Sequence, residues 1–144
     1  MPSPATPQDL DLYQLWRSVG VLVGFQITVL GWRILREQKM SEAQGNKIWF
    51  PVADYMNIFS IAISMVSVFI VPMVGQTPRL RMWMLGMSLM LFTAFPFALV
   101  GHYEIFTPNV RHEATYFPRQ ERIVFSVTLF LLVGFSVWYW IAWW

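Results

Sequence analysis

Four apolar segments separated by polar stretches set the pattern of this chain. In the second of them, no charged residue occurs between Tyr55 and Pro78. A helix of about 20 such residues is long enough to cross a hydrocarbon core of about 30 Å. We therefore predict membrane-spanning helices over about residues 12–35, 51–74, 78–102 and 120–144, preceded by a proline-rich extended arm over residues 1–9.

The connections between these segments favour a simple sequential arrangement. Gly45 and Asn46 mark a turn between the first two segments, and Gly75 and Pro78 bound a short turn between the second and the third. Short connections place sequential helices antiparallel to each other. We therefore predict an all-α fold, in which residues 1–144 form a single integral membrane four-helix transmembrane bundle with up-down-up-down order.

Composition agrees with the membrane class. The chain is 56% hydrophobic and 12% charged, and soluble domains carry about 25% charged residues. The chain has no cysteine, which excludes a disulfide framework and thiolate metal sites. The net charge of +2 is small and dispersed, so no nucleic-acid partner is expected.

The positive charges beside the segments predict an orientation. Seven of them lie in the loops after the first and third segments or flank those loops, and three lie on the opposite side of the predicted bundle: Arg33, Arg36, Lys39, Lys47, Arg111, Arg119 and Arg122 against Arg17, Arg79 and Arg81. Because cytoplasmic loops carry an excess of Lys and Arg, both termini are predicted on the non-cytoplasmic side. The membrane would be a bacterial inner membrane or an organellar membrane.

Asp54 is an acid near the start of the second membrane segment. An ionisable residue inside a membrane segment is costly, so an acid at this position suggests a functional site. In the predicted bundle Asp54 lies at the same depth in the membrane as Arg33, His102 and Glu104. These four residues therefore form a candidate polar interfacial cluster. The cluster could bind a ligand or relay protons. Alternatively, Asp54 could pair with Arg33 to hold two helices together, in a first turn where the helix dipole favours negative charge.

The second segment also carries a stripe of small polar residues. At 100° per residue its members fall within about 80° of one another on a helix. They are Asn57, Ser60, Ser64 and Ser67. Such a stripe either lines a pore or packs against a neighbouring helix. The first segment has small residues from Gly20 to Gly31, and we expect these two stripes to pack against each other.

Metal binding has weak support in the sequence. His102 and His112 each have a glutamate nearby, and imidazole and carboxylate groups are metal ligands. However, the two histidines are ten residues apart, with Pro108 between them, and this spacing matches no helix-based ligand pair. The sequence therefore identifies no metal site and no cofactor.

Three functions are compatible with these features. The leading hypothesis is a non-catalytic accessory or structural subunit of a larger membrane complex, in contact with the bilayer and with other subunits or further copies of itself. The small-residue stripes, the proline-rich arm and the absence of a charged residue at the middle of any segment favour it. The alternatives are a homo-oligomeric channel or facilitator with the serine stripe facing its pore, and a membrane-embedded enzyme or cofactor binder that uses Asp54, His102 and Glu104.

Overall fold

The computed structural model describes residues 7–44, 51–75, 78–103 and 118–142 of the chain. The candidate residues Glu104 and His112 lie outside these ranges, as does most of the predicted N-terminal arm. The described part of the chain is helical and contains no strand, as the hydrophobic pattern predicts.

Four long helices make up the described fold. They are α1 (Pro7–Gln44), α2 (Val52–Met73), α3 (Pro78–His102) and α4 (Arg119–Ala142). Each is long and apolar enough to cross a membrane, in α1 over Gln14–Lys39. These helices indicate an integral membrane protein, the class that the sequence predicts.

α1 extends beyond the predicted residues 12–35 at both ends. It begins at Pro7, because proline lacks an N–H group and is tolerated in a first turn, where that group has no helical partner. It continues to Gln44, because the polar residues 36–44 include Arg, Glu, Gln, Lys, Met and Ala, which have high helix propensity. Residues 36–44, which lie between the first two predicted segments, therefore belong to the helix.

α2 contains one wide turn near its end. Val66–Ile70 are π-helical, and the N–H group of Val71 donates to the carbonyl of Val66, five residues earlier. The cause is Pro72, which has no N–H group and whose ring would clash with a carbonyl four residues earlier in a regular helix. The helix ends at Met73, and Gly75 follows with a φ of 67°, in the left-handed region that glycine adopts without strain.

Contacts near both ends of the bundle relate α1, α2 and α3 to one another. Near one end of the bundle, Val19 of α1, Val68 of α2 and Leu85 of α3 share one apolar cluster. Near the other end, Arg33 of α1 contacts Asp54 of α2. A second apolar cluster there joins α2 to α3 through Ala53, Met56, Phe95 and Ala98. The order of contacts along α2 is thus the reverse of the order along α1.

α3 and α4 approach each other closely at two glycines. A Cβ atom added at Gly101 would lie 3.0 Å from the backbone of Gln120 and Glu121. A Cβ atom added at Gly86 would overlap the ring of Phe135. Between these contacts lies an open apolar groove of about 520 Å³. The close approach at Gly101 places the start of α4 against the end of α3.

The small residues of α1 do not face α2, and the expectation that the two stripes pack together is wrong. A Cβ atom added at Gly20, Gly24 or Gly31 would have nothing within 4 Å. α1 instead buries Gln26 and Arg33, which are 0% and 1% exposed. These long polar side chains need partners inside the bundle, because an unpaired polar group is costly there. That requirement decides which face of α1 turns inward.

Substitution of Gly101 by alanine tests the close approach of α3 and α4. Because the added methyl group meets backbone atoms that have little freedom to move, we expect Gly101→Ala to destabilise the fold by about 1–3 kcal/mol. Thermal unfolding in mild detergent measures the effect. Gly24→Ala is the matched control, because its methyl group has open space. Equal stability of the two variants would contradict the close approach.

Candidate functional site

Most of the buried polar side chains, together with partly buried neighbours, fall into two groups along α2. We call the first the charged cluster; it contains Arg33, Glu37, Asp54, His102, Tyr103 and Glu121. We call the second the polar seam; it contains Gln26, Asn57, Ser60, Ser64, Ser67 and Ser88, all 0% exposed. The charged cluster lies at the start of α2, and the polar seam follows it along the helix.

Arg33 and Asp54 form the centre of the charged cluster. Arg33 Nε lies 3.3 Å from Asp54 Oδ1, and Arg33 Nη2 lies 3.2 Å from Asp54 Oδ2. The two residues are 1% and 2% exposed. A bidentate pair of this kind fixes both side chains in one geometry. It therefore fixes the register of α1 against α2.

The other side of the Arg33 guanidinium reaches the end of α3. Arg33 Nη1 donates to Glu37 Oε1 at 2.9 Å and also to the hydroxyl of Tyr103. The Tyr103 hydroxyl donates to Glu37 Oε1 at 2.9 Å. In addition, the guanidinium carbon of Arg36 lies 5.1 Å from the centre of the Tyr103 ring, within the range of a cation–π contact. Tyr103 is thus held by residues of α1.

Glu121 of α4 connects three helices. Its Oε1 accepts a hydrogen bond of 2.9 Å from the backbone N–H group of Ala53, in the first turn of α2. Its Oε2 lies 2.9 Å from His102 Nδ1, and Glu121 is 0% exposed. The first N–H groups of a helix have no partner within that helix. Glu121 therefore supplies from α4 the cap that the sequence before Ala53 does not provide.

The predicted cluster residues are distributed between two contacts. Arg33 and Asp54 lie together, whereas His102 pairs with Glu121. Among the described residues no group of three or more metal-ligating side chains could hold a metal ion. Each carboxylate of the charged cluster accepts hydrogen bonds from neighbouring helices or turns. Whether Asp54 also has a functional role stays a prediction.

Hydrogen bonds between helices occur along the whole polar seam. Gln26 Nε2 donates to Ser60 Oγ at 2.7 Å, and Asn57 Nδ2 donates to the Gln26 carbonyl at 3.2 Å. Ser60 and Ser88 each donate to the other's backbone carbonyl at 2.8 Å. Ser64 lies within hydrogen-bond distance of the Ser88 hydroxyl. These contacts favour packing over pore lining for the stripe of α2.

Sequence reasoning missed Glu37, Tyr103 and Glu121 as members of the charged cluster. Glu37 lies one helical turn after Arg33, a spacing that places both on one face of α1. That signal was present in the sequence once the helix was known to continue to Gln44. Glu121 gave no local signal, because its partner Ala53 is 68 residues away.

The surroundings of Tyr103 favour its neutral form. Burial raises the pKa of the Tyr103 phenol, and the hydrogen bond that it donates to Glu37 acts in the same direction. Arg33 opposes these effects, but less strongly. The folded protein therefore keeps Tyr103 protonated at pH values where an unfolded chain begins to lose that proton.

Comparison with known proteins finds no match among family models, curated proteins or solved structures.

Removal of the Asp54 charge tests the central pair. Asp54→Asn removes the carboxylate that two nitrogens of Arg33 contact and leaves Glu37, on α1 itself, as the remaining counter-ion, so we expect a loss of about 1–3 kcal/mol, seen as a lower melting temperature in detergent. The double variant Arg33→Met with Asp54→Leu is the control, and it should recover part of that loss because it removes both charges. An unchanged melting temperature of Asp54→Asn with lost function would instead make Asp54 a functional site.

The raised pKa of Tyr103 gives a pH dependence with a defined sign. The contribution of Tyr103 to the free energy of unfolding is fully present below pH about 10, the pKa of an unfolded tyrosine. It is lost as the pH rises through the higher pKa of the folded state. We expect the melting temperature of the wild-type chain to fall more steeply above pH about 10 than that of Tyr103→Phe. Parallel curves for the two chains would contradict this assignment.

Proposed function

We propose that this chain is a non-catalytic accessory or structural subunit of a larger membrane complex. In this proposal its four helices cross the bilayer in up-down-up-down order, with both termini on the non-cytoplasmic side. The observation that carries the proposal is the small-residue face of α1, defined by Gly20, Gly24 and Gly31, which no described part of the chain covers.

The geometry of α1 separates this face from the interior of the bundle. At 100° per residue, its three glycines fall within about 40° of one another. The buried face, centred between Val23 and Gln26, lies about 120° away around the helix. Within a membrane, glycines let two helix backbones approach closely, and this contact drives helix association where lipid is as apolar as the side chains. A helix surface that contacts only lipid does not need a row of glycines, so the small-residue face favours contact with another helix.

The side chains beside the small-residue face are large and apolar. Val21 and Phe25 are 76% and 58% exposed. A glycine groove between such residues suits a transmembrane helix that also carries small residues at its contact. We therefore identify the partner as a helix of another membrane subunit, packed along α1 from outside the bundle.

The charged cluster fits a structural role in this proposal. Asp54 is neutralised by Arg33, and both oxygens of Glu121 are engaged by Ala53 and His102. A pair that is buried and fully bonded fixes the positions of helices. In a subunit of a complex, such a lock would keep α1 in place while its outer face binds the partner.

A channel or facilitator is the second candidate, favoured by the length of the polar seam. From Asn57 to Ser67 it covers about 15 Å of helix at 1.5 Å per residue. Cysteine substitutions at Ser60, Ser64 and Ser67 distinguish the two functions. Uniform protection of the three thiols from water-soluble reagents supports the structural role, whereas labelling along the seam would support a wet pore.

Substitution of the α1 glycines tests the proposed subunit role. Gly20→Leu with Gly24→Leu fills the small-residue face, so we expect proteins that co-purify with the wild-type chain in mild detergent to be lost by about tenfold or more. The melting temperature of the isolated chain should not fall, because the new side chains meet no atom of the bundle. Gly134→Leu is the control, since Gly134 of α4 also has open space. Recovery of this chain alone from the wild-type preparation would refute the proposal.

A further inference from the structure

The apolar groove between α3 and α4 opens toward the outer surface of the bundle. Its rim is formed by exposed side chains of both helices, among them Phe97 of α3 and Ile123 of α4, which are 59% and 63% exposed. Its floor is formed by more buried residues, among them Ala94 and Thr128. The outer surface of a bundle that crosses a membrane contacts hydrocarbon. The groove is therefore accessible to lipid.

The groove has no free hydrogen-bond donor on its side chains. Its two hydroxyl groups belong to Thr93 and Thr128, and each donates to a carbonyl group of its own helix, at 2.8 Å and 2.7 Å. The other side chains that line the groove are apolar. A carbonyl or phosphate oxygen placed in the groove would find no partner there, which is costly in hydrocarbon. The groove therefore suits an apolar chain.

The dimensions of the groove suit a thin chain better than a helix. Its lining residues span 89–97 of α3 and 123–131 of α4, which is about 12 Å of each helix at 1.5 Å per residue. A volume of about 520 Å³ over that length gives a mean cross-section of about 40 Å². A helix 10–12 Å wide occupies about 80–110 Å². A hydrocarbon chain, whose carbon atoms make contacts at 3.5–4.0 Å, occupies about 20 Å².

A positive charge lies beside one end of the groove. Arg119 is four residues before Ile123, so the two side chains are neighbours on one face of α4. Side chains of a helix tilt toward its N-terminus, so Arg119 extends past the start of α4, away from the middle of the bundle. Arg119 is exposed, and none of the ion pairs among the described residues includes it.

The groove and Arg119 together match the two parts of a phospholipid. An acyl chain in the groove places its head group at the end of the bundle where Arg119 lies, and arginine pairs well with phosphate. A zwitterionic head group carries its own cation, which competes with Arg119 for the phosphate, whereas an anionic head group has no such cation. Basic sites beside transmembrane helices accordingly favour anionic lipids.

We propose that the groove binds an acyl chain of an anionic phospholipid whose head-group phosphate pairs with Arg119. The lipid fills the space between α3 and α4 where the two helices separate, between their contacts at Gly86 and Gly101. The inference uses the membrane class of the chain. It does not depend on the proposed subunit role, because the small-residue face lies on α1 and the lipid site on α3 and α4.

Native mass spectrometry of the full chain tests the lipid site. The chain is reconstituted in bilayers that contain equal amounts of phosphatidylglycerol and phosphatidylcholine with identical acyl chains, and is then released in mild detergent. We expect one phospholipid to stay bound per chain, with phosphatidylglycerol enriched about fivefold, the effect of one arginine near a membrane surface. Absence of bound lipid, or equal retention of the two lipids, would overturn the proposal.

Two variants connect the bound lipid to the groove and to the charge. Arg119→Gln should abolish the preference for phosphatidylglycerol. Thr93→Trp fills the groove from an exposed position, so it should reduce the retention of both lipids by about tenfold without lowering the melting temperature. Lys39→Gln is the matched control, because it removes an exposed positive charge from α1 at the same end of the bundle, and it should keep the wild-type preference.

Two results with these variants would contradict the lipid site. Unchanged lipid retention in both Arg119→Gln and Thr93→Trp would show that the lipid binds elsewhere on the chain. Loss of a co-purifying protein from Thr93→Trp, with the bound lipid retained, would instead identify the groove as a contact with another protein.

Discussion

The Arg33–Asp54 pair is the interaction on which the arrangement of the helices depends. Both side chains are almost fully buried in a bundle whose outer surface is apolar, where neither charge has water as an alternative partner. Attraction between unlike charges is strong in such surroundings, but the loss of hydration opposes it. The pair therefore contributes specificity more than net stability: any arrangement that separates Arg33 from Asp54 leaves the Asp54 carboxylate without its cation and leaves Arg33 with Glu37 as its counter-ion. The register of α1 against α2 follows from this restriction.

The same restriction extends to the polar groups around the pair. Glu121 of α4 caps the first turn of α2, and His102 of α3 holds the second oxygen of Glu121. Further along α2, serine hydroxyls bind carbonyl groups of α3. One face of α2 thus carries polar contacts to all three other helices. α2 is central for this reason, and the apolar clusters fill the space that the polar contacts define.

The sequence predicts the helices well because their signal is local. An apolar run of membrane length needs no partner to be recognised, so hydropathy alone predicts the four helices. The proximity of Arg33 and Asp54 also follows, because an antiparallel pair of helices puts them at one depth. The role of Glu121 does not follow, because it caps a helix 68 residues away in the chain. The small residues of α1 do not indicate which face of the helix packs inside the bundle. Gln26 and Arg33 do indicate it, because they are seven residues apart and lie on one face.

α1 therefore has two faces suited to two different associations. Its inner face uses long polar side chains, Gln26 and Arg33, whose hydrogen bonds are specific for partners on α2. Its outer face carries Gly20, Gly24 and Gly31, which bring no polar group and admit any helix that can approach closely. Directional bonds suit a contact that forms once, during folding of the chain. A smooth groove suits a contact that forms afterwards, between folded subunits. This difference between the two faces is the physical reason to look for a partner outside the bundle along α1.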